Sequence, residues 1–129
     1  MQNLLTAMHG EAFTYAKYML YAERARQQGH TELAELFENI AKEERLEHFA
    51  EEAELAGIVG TDADNLRNAI EAESREIETT YREFAEKALA AGDKAAAARF
   101  EEIRQDEIKH RDALKAALAT INKNAMRAW

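Results

Sequence analysis

The residues best placed to do chemistry in this 129-residue chain are glutamates that interrupt apolar stripes. Stripes are read here at alternating steps of three and four residues, the spacing that faces the interior of a helical bundle. The first stripe is Leu4, Met8, Glu11, Tyr15, Tyr18 and Ala22, and the second is Leu33, Phe37, Ile40, Glu44 and Glu47. The third is Leu66, Ile70, Glu73, Ile77, Tyr81 and Phe84, and the fourth is Phe100, Ile103, Glu107, His110, Leu114 and Ala117. Withdrawing one ionised carboxylate from water costs several kcal/mol, and several facing one another add like-charge repulsion. Protonating all of them would need a large upward pKa shift at each, whereas two metal cations would neutralise the layer and use carboxylates as bridging ligands. Glu107-Ile108-Lys109-His110 sets a glutamate and a histidine on one helical face, the spacing used by di-iron and di-manganese sites in bundle cores. His110 is therefore a candidate ligand, while His9 and His30 lie outside the stripe or beside a turn and are read as non-ligands. Tyr15, Tyr18 and Tyr81 are expected to pack in the core with hydroxyls bonded to the acids. The run Glu51-Glu52-Ala53-Glu54 reads as a solvated face.

Four helices must position these groups. Gly29, the pair Gly57 and Gly60, and Gly92 fall between long segments of helical spacing, as helix stops do. The predicted helices run over residues 3–28, 31–56, 64–91 and 93–121, with Thr31, Asp93 and either Asp62 or Asp64 as N-caps. The bundle domain is then 1–121, and 122–129, ending in Trp129, reads as a fraying polar tail. The halves repeat at an offset of 63 residues, pairing Tyr18 with Tyr81, Gly29 with Gly92, Phe37 with Phe100 and Glu44 with Glu107. Two repeated helical hairpins imply a pseudo-two-fold site built from equivalent positions. At 1.5 Å per residue Glu11 and Glu73 stand about 27–28 Å from Gly29 and Gly92, and Glu44 and Glu107 about 22 Å. All four acids converge on one layer.

Composition narrows the function. The formal net charge is −8, with Lys+Arg 17 against Asp+Glu 25, which excludes a phosphate-binding surface for nucleic acid. Proline and cysteine are absent and valine occurs once, at Val59, so the fold is all-α and disulfide, thiolate and iron–sulfur chemistry are excluded. No apolar run is long enough to cross a membrane and the N-terminus lacks the layout of a signal peptide, so a cytoplasmic location without membrane partners is expected.

At these residues the chain resembles the rubrerythrin and erythrin branch of the ferritin-like superfamily over nearly its whole length. The resemblance is carried by His9-Gly10-Glu11, Leu36-Phe37-Glu38 seven residues before Glu44, Ala72-Glu73 followed by Glu76 and Tyr81, and Arg99-Phe100 seven residues before Glu107. It implies a ferritin-like four-helix bundle with a non-haem di-iron site, Fe/Fe or Mn/Fe, in which Glu11, Glu44, Glu73 and Glu107 are the central ligands. Glu76 matches the family's additional carboxylate, and Tyr18 and Tyr81 match tyrosines that stand behind the ligands. The family's second helix supplies Glu-x-x-His, whereas here Glu44-Arg45-Leu46-Glu47-His48 places the histidine one step later. A straight helix makes Glu47 the counterpart of His110, and a one-residue π-bulge would bring in His48 instead. We favour the straight register, which makes the site richer in carboxylate.

The resemblance implies reduction of hydrogen peroxide, with a dioxygen-using ferroxidase or oxidase as the alternative enzyme. A helical interaction protein with a hydrated acidic layer is the non-catalytic alternative. With no cysteine for a rubredoxin domain, electrons must come from an external donor such as a rubredoxin. The family's second and third helices run parallel, yet residues 57–63 reach at most about 25 Å against about 39 Å for a 26-residue helix, so a domain-swapped homodimer is expected.

Overall fold

The computed structural model describes residues 1–127 and is all-α, with no strand among the described residues. The first helix is Gln2–Gln27, the second runs over 31–56, the third over 62–90, and the fourth is Lys94–Arg127. This is the helical-hairpin plan of a ferritin-like bundle. The fourth helix continues six residues beyond Ile121, where the sequence reading begins a tail; Trp129, the end of that expected tail, lies outside the described residues. No described helix is long and apolar enough to cross a membrane.

The chain divides into two compact units at Val59 and Gly60, each a helical hairpin. Gly29 and Gly92 close the hairpin turns and Gly57 ends the second helix, all three with positive φ of 64–80°. At each, the amide one residue after the glycine returns to a carbonyl five residues back: His30 to Ala25, Ile58 to Ala53 and Asp93 to Ala88. This is the left-handed C-terminal cap that glycine adopts without steric cost. Asp93 caps the fourth helix, its Oδ1 accepting from the Ala96 amide at 2.9 Å. Thr61, not Asp62 or Asp64, caps the third helix by accepting from the Asp64 amide, and Thr31 leaves the cap position of the second to His30. A hydroxyl one residue earlier wins because the third helix starts at Asp62.

In hairpin one the helices meet along a seam of small residues, Ala22, Ala25, Ala34, Ala41 and Ala53 with Met8. Alanine lets the backbones approach closely and is the strongest helix former. Arg26 clamps the turn end, its Nε and a terminal nitrogen bonding both oxygens of Glu38 at 2.9 and 2.7 Å. Tyr18, Tyr21 and Phe37 form a ring cluster with centroids 5.4–5.9 Å apart. Hairpin two repeats that cluster with Tyr81, Phe84 and Phe100 at 5.5–6.2 Å.

Two helices are interrupted by π-turns, Glu44–Phe49 in the second and Glu76–Thr80 in the third. A π-turn spaces its hydrogen bonds one residue wider, so a carbonyl is left over where the α-ladder resumes. In hairpin two the half-buried Arg104 answers this need: its Nε donates to the Ile77 carbonyl at 2.7 Å from the facing helix. Arg104→Leu should cost about 1–3 kcal/mol, the usual penalty for stranding a shielded acceptor. Arg99→Leu, which loses only a surface pair with Glu102, should stay within about 0.5 kcal/mol of wild type in the same urea titration.

Candidate metal centre

Each hairpin gathers two glutamates and one histidine whose donor atoms all lie within 4.8 Å of one another: Glu11, Glu44 and His48 in hairpin one, and Glu73, Glu107 and His110 in hairpin two. The glutamates are largely withdrawn from solvent, with side chains 15–26% exposed. Both histidines are the exposed members of their triads and turn Nδ1 toward the acids. His48 Nδ1 stands 3.1 Å from Glu44 and 3.8 Å from Glu11, and His110 Nδ1 stands 3.4 Å from Glu107 and 3.7 Å from Glu73.

The π-turn in the second helix produces the first triad. In a straight helix the residues in phase with Glu44 are Glu47 and Glu51; the extra residue of the π-turn advances the phase by one and presents His48. Glu47 stays exposed and outside the triad. A signal for this exists in the repeat itself. Glu11 corresponds to Glu73 at an offset of 62, Tyr18 to Tyr81 and Glu44 to Glu107 at 63, and His48 to His110 at 62 again. The offset changes at Glu76–Thr80 and at Glu44–Phe49, one inserted residue in each hairpin.

Glu76 joins hairpin two through Glu107, which lies within hydrogen-bonding reach of it; burial first, and then the Glu107 charge, push the Glu76 carboxyl above its ordinary value. Tyr81 stands beside the same acids, and burial followed by the charges of Glu76, Glu107 and Glu73 raises its hydroxyl. Tyr18 belongs to the aromatic cluster, and Tyr15 packs under the Arg45 guanidinium at 5.9 Å. No tyrosine hydroxyl bonds an acid among the described residues, so the rings pack and the expected hydroxyl–acid bonds are not made. His9 and His30 are exposed and in neither triad. Glu52 departs from the solvated-face reading: it is half-buried, and its Oε2 is shielded with no hydrogen-bond partner.

Facing carboxylates and partial burial shift the acids from their ordinary values. Glu11, hydrogen-bonded to Glu44 and partly desolvated, is pushed upward, while Glu44, which accepts from Glu11 and His48, is pulled below its ordinary value. The same Glu44 contact raises His48. Glu73 is pushed to about 7 by its hydrogen bond to Glu107, by burial and by the Glu107 charge, and its Oε2 is shielded with no partner. These features suit a cation: an orphaned buried carboxylate oxygen, ionisation held back by a facing carboxylate and by burial, and a carboxylate–imidazole donor set fitting iron or manganese.

Protein lacking metal should report this strain through pH. Glu11, Glu73, Glu76 and His48 all bind protons more tightly when folded, so folding takes protons up and stability falls as pH rises from the ordinary carboxylate range through about 7. The melting temperature should therefore be higher at about pH 5.5 than at about pH 8, and Glu73→Gln should flatten the difference. A profile that rises over that interval would contradict the assignment.

A family model described as Rubrerythrin matches residues 2–118. A rubrerythrin of Porphyromonas gingivalis is 33% identical over 138 residues, an alignment covering 97% of this chain and 68% of that protein. A Methanocaldococcus jannaschii protein that carries the rubrerythrin name is 28% identical over 148 residues, covering 98% of this chain and 72% of that protein. With a matched pair of carboxylate–histidine triads on a two-hairpin helical fold, and with that match along nearly its full length, the chain belongs to the rubrerythrin family.

Proposed function

We propose that this di-iron protein of the rubrerythrin type is a peroxidase that reduces hydrogen peroxide to water with electrons from an external donor. The observation that carries the reading is the equivalence of the triads: each hairpin offers one imidazole and two closely facing carboxylates, a ligand set for one ion, and the repeat supplies the pair. Glu11, Glu44 and His48 would hold one iron and Glu73, Glu107 and His110 the other, with Glu76 adding a carboxylate beside Glu107; Mn/Fe is the alternative pair.

The bound iron pair would supply redox capacity for two electrons. Reducing one peroxide to two waters consumes two electrons and two protons, so the protein must deliver protons where the electrons arrive. Glu73 and Glu76, whose carboxyls are raised without metal, would give up their protons as the cations bind. Tyr81 stands beside these acids and packs its ring against Phe100. The carboxylate-rich set favours the more highly charged, oxidised metal. None of the 129 residues is a cysteine, so a rubredoxin-like iron–thiolate centre would lie outside them, which makes a rubredoxin a suitable donor.

The second proposal concerns assembly. Hairpin one leaves Phe13, Leu20, Leu46 and Leu55 at 50–78% exposure, since two helices alone cannot enclose large side chains. In a ferritin-like bundle the second and third helices are parallel, and the connection between them here is residues 57–61. Five residues span at most about 18 Å, against about 39 Å for the 26-residue second helix. We infer a domain-swapped homodimer in which hairpin one of one protomer closes on hairpin two of its partner.

Reduced, iron-loaded protein mixed with hydrogen peroxide in a stopped-flow instrument should oxidise faster than the same protein mixed with dioxygen. The reverse order would favour a ferroxidase or oxidase, and a chain that refuses iron would favour a structural acidic layer. Light scattering at micromolar concentration should give twice the chain mass, and a monomer would sink the swapped arrangement.

A further inference from the structure

The two π-turns differ in how they are held. Among the described residues, Arg104 is the only side chain that bonds a main-chain carbonyl on another helix; the other side-chain bonds to carbonyls stay within one helix or its cap, from Thr6 to Gln2, Asn65 to Gly60 and Thr120 to Ala116. Arg104 Nε reaches the Ile77 oxygen at 2.7 Å, and a terminal nitrogen lies 3.3 Å from Glu101 on its own helix, which orients the guanidinium. Ile77 is 4% exposed, so this residue of the turn is fixed through both its side chain and its carbonyl. The π-turn Glu44–Phe49 has no such side-chain donor among the described residues.

The position of the pinned turn matters because it divides the third helix. The Glu76 amide returns four residues to Ala72, as in an α-helix, whereas the Tyr81 amide returns five residues to Glu76. Before the turn stands Glu73, gathered with Glu107 and His110; after it stands Tyr81, whose ring centroid lies 6.1 Å from Phe84 and 6.2 Å from Phe100. Each residue turns an α-helix by about 100°, and the π-turn holds one extra residue. Were that extra residue to migrate toward the N-terminus while Tyr81 kept its place among the rings, first Glu76 and then Glu73 would rotate by about that angle, and Glu73 would leave Glu107.

We propose that Arg104 is a positioning residue for the metal centre: by capturing the Ile77 carbonyl it fixes the π-turn between Glu73 and Tyr81 and so holds Glu73 against Glu107. Arg104 and Glu107 are three residues apart and share a face of the fourth helix. The helix that presents Glu107 therefore also sets the rotation of the helix that presents Glu73. A group of this kind acts on metal affinity by orienting ligands, without touching the ion. The proposal rests on the metal-binding reading above.

The test uses full-length protein freed of metal and titrated with Mn(II), whose free ion is followed by its paramagnetic resonance signal. Arg104→Leu should bind Mn(II) about tenfold more weakly than wild type, the scale on which groups that orient ligands act. Arg104→Lys, whose ammonium can donate to the same carbonyl, should recover most of that loss. Ala97→Gly, which weakens the fourth helix at a buried position away from the π-turn, serves as the control for lost stability and should bind as wild type does. In metal-free Arg104→Leu, hydrogen exchange should quicken at the amides of residues 77–82 and stay unchanged at those of 44–50. If the leucine variant does not fold, Arg104→Gln, too short to reach Ile77, carries the same expectations. Wild-type Mn(II) affinity in the leucine or glutamine variant would overturn the proposal and leave the triads standing. Equal weakening in Ala97→Gly, or a lysine variant as weak as the leucine one, would make Arg104 a stabilising residue only and overturn it too. Failure of wild type to bind Mn(II) would overturn the proposal together with the reading beneath it.

Discussion

The arrangement depends on carboxylates held face to face inside each hairpin. Left to themselves, Glu11 with Glu44 and Glu73 with Glu107 repel, and with burial this holds the Glu11 carboxyl above its ordinary value and that of Glu73 at about 7. A protein gains nothing in stability from such pairs. The surrounding structure must therefore impose them, and its features make sense in that light: alanine seams that draw the helices close, glycine caps that fix the hairpin turns, and a bidentate Arg26–Glu38 clamp at the turn of hairpin one. Strain of this kind is expected where a binding partner relieves it, and a cation relieves it at every one of these groups at once.

The π-turns are the second half of that design. Each inserts one residue into one helix of a hairpin, and they fall in non-equivalent helices, the second and the third. In the second helix the insertion turns His48 to the acids. In the third it lies between Glu73 and Tyr81, so Glu73 and the aromatic cluster are each placed by their own length of α-helix. Arg104 satisfies the Ile77 carbonyl within that turn and stands one helical turn before Glu107, so the residue that supports the bulge also belongs to the Glu107 face of the fourth helix. A π-turn costs backbone hydrogen bonding and is usually found where its altered phase serves a site.

The two hairpins thus reach similar donor chemistry by different routes. The three-ring clusters, the turn glycines and the pair Glu44 and Glu107 keep the 63-residue offset, while Glu11 and Glu73 stand at 62. The histidine of hairpin one is reached through a π-turn and that of hairpin two through an unbroken helix. Such asymmetry gives the two triads different backbone surroundings while their donor types remain alike.

Much of this was legible from the residues alone. The absence of proline and the near absence of valine dictate helices, the glycines mark their ends, and apolar stripes interrupted by Glu11, Glu44, Glu73 and Glu107 identify the acids, because burial periodicity is a local property of the chain. The repeat also announces two hairpins, since Tyr18 and Tyr81 or Phe37 and Phe100 are distinctive enough to fix a register. Tertiary structure decided what local pattern leaves degenerate. Glu47 and His48 are adjacent and equally compatible with a helix, and only the phase of a π-turn packed against the first helix seats His48 by Glu44. Glu51 and Glu52 look alike in sequence, yet that same phase exposes one and shields the other. The raised carboxyl of Glu73 depends on Glu107, 34 positions away, and exists only once two helices bring them together. Periodicity specifies which face of a helix is buried; the facing helix determines which hydrogen-bond ladder, and therefore which side chain, that face presents.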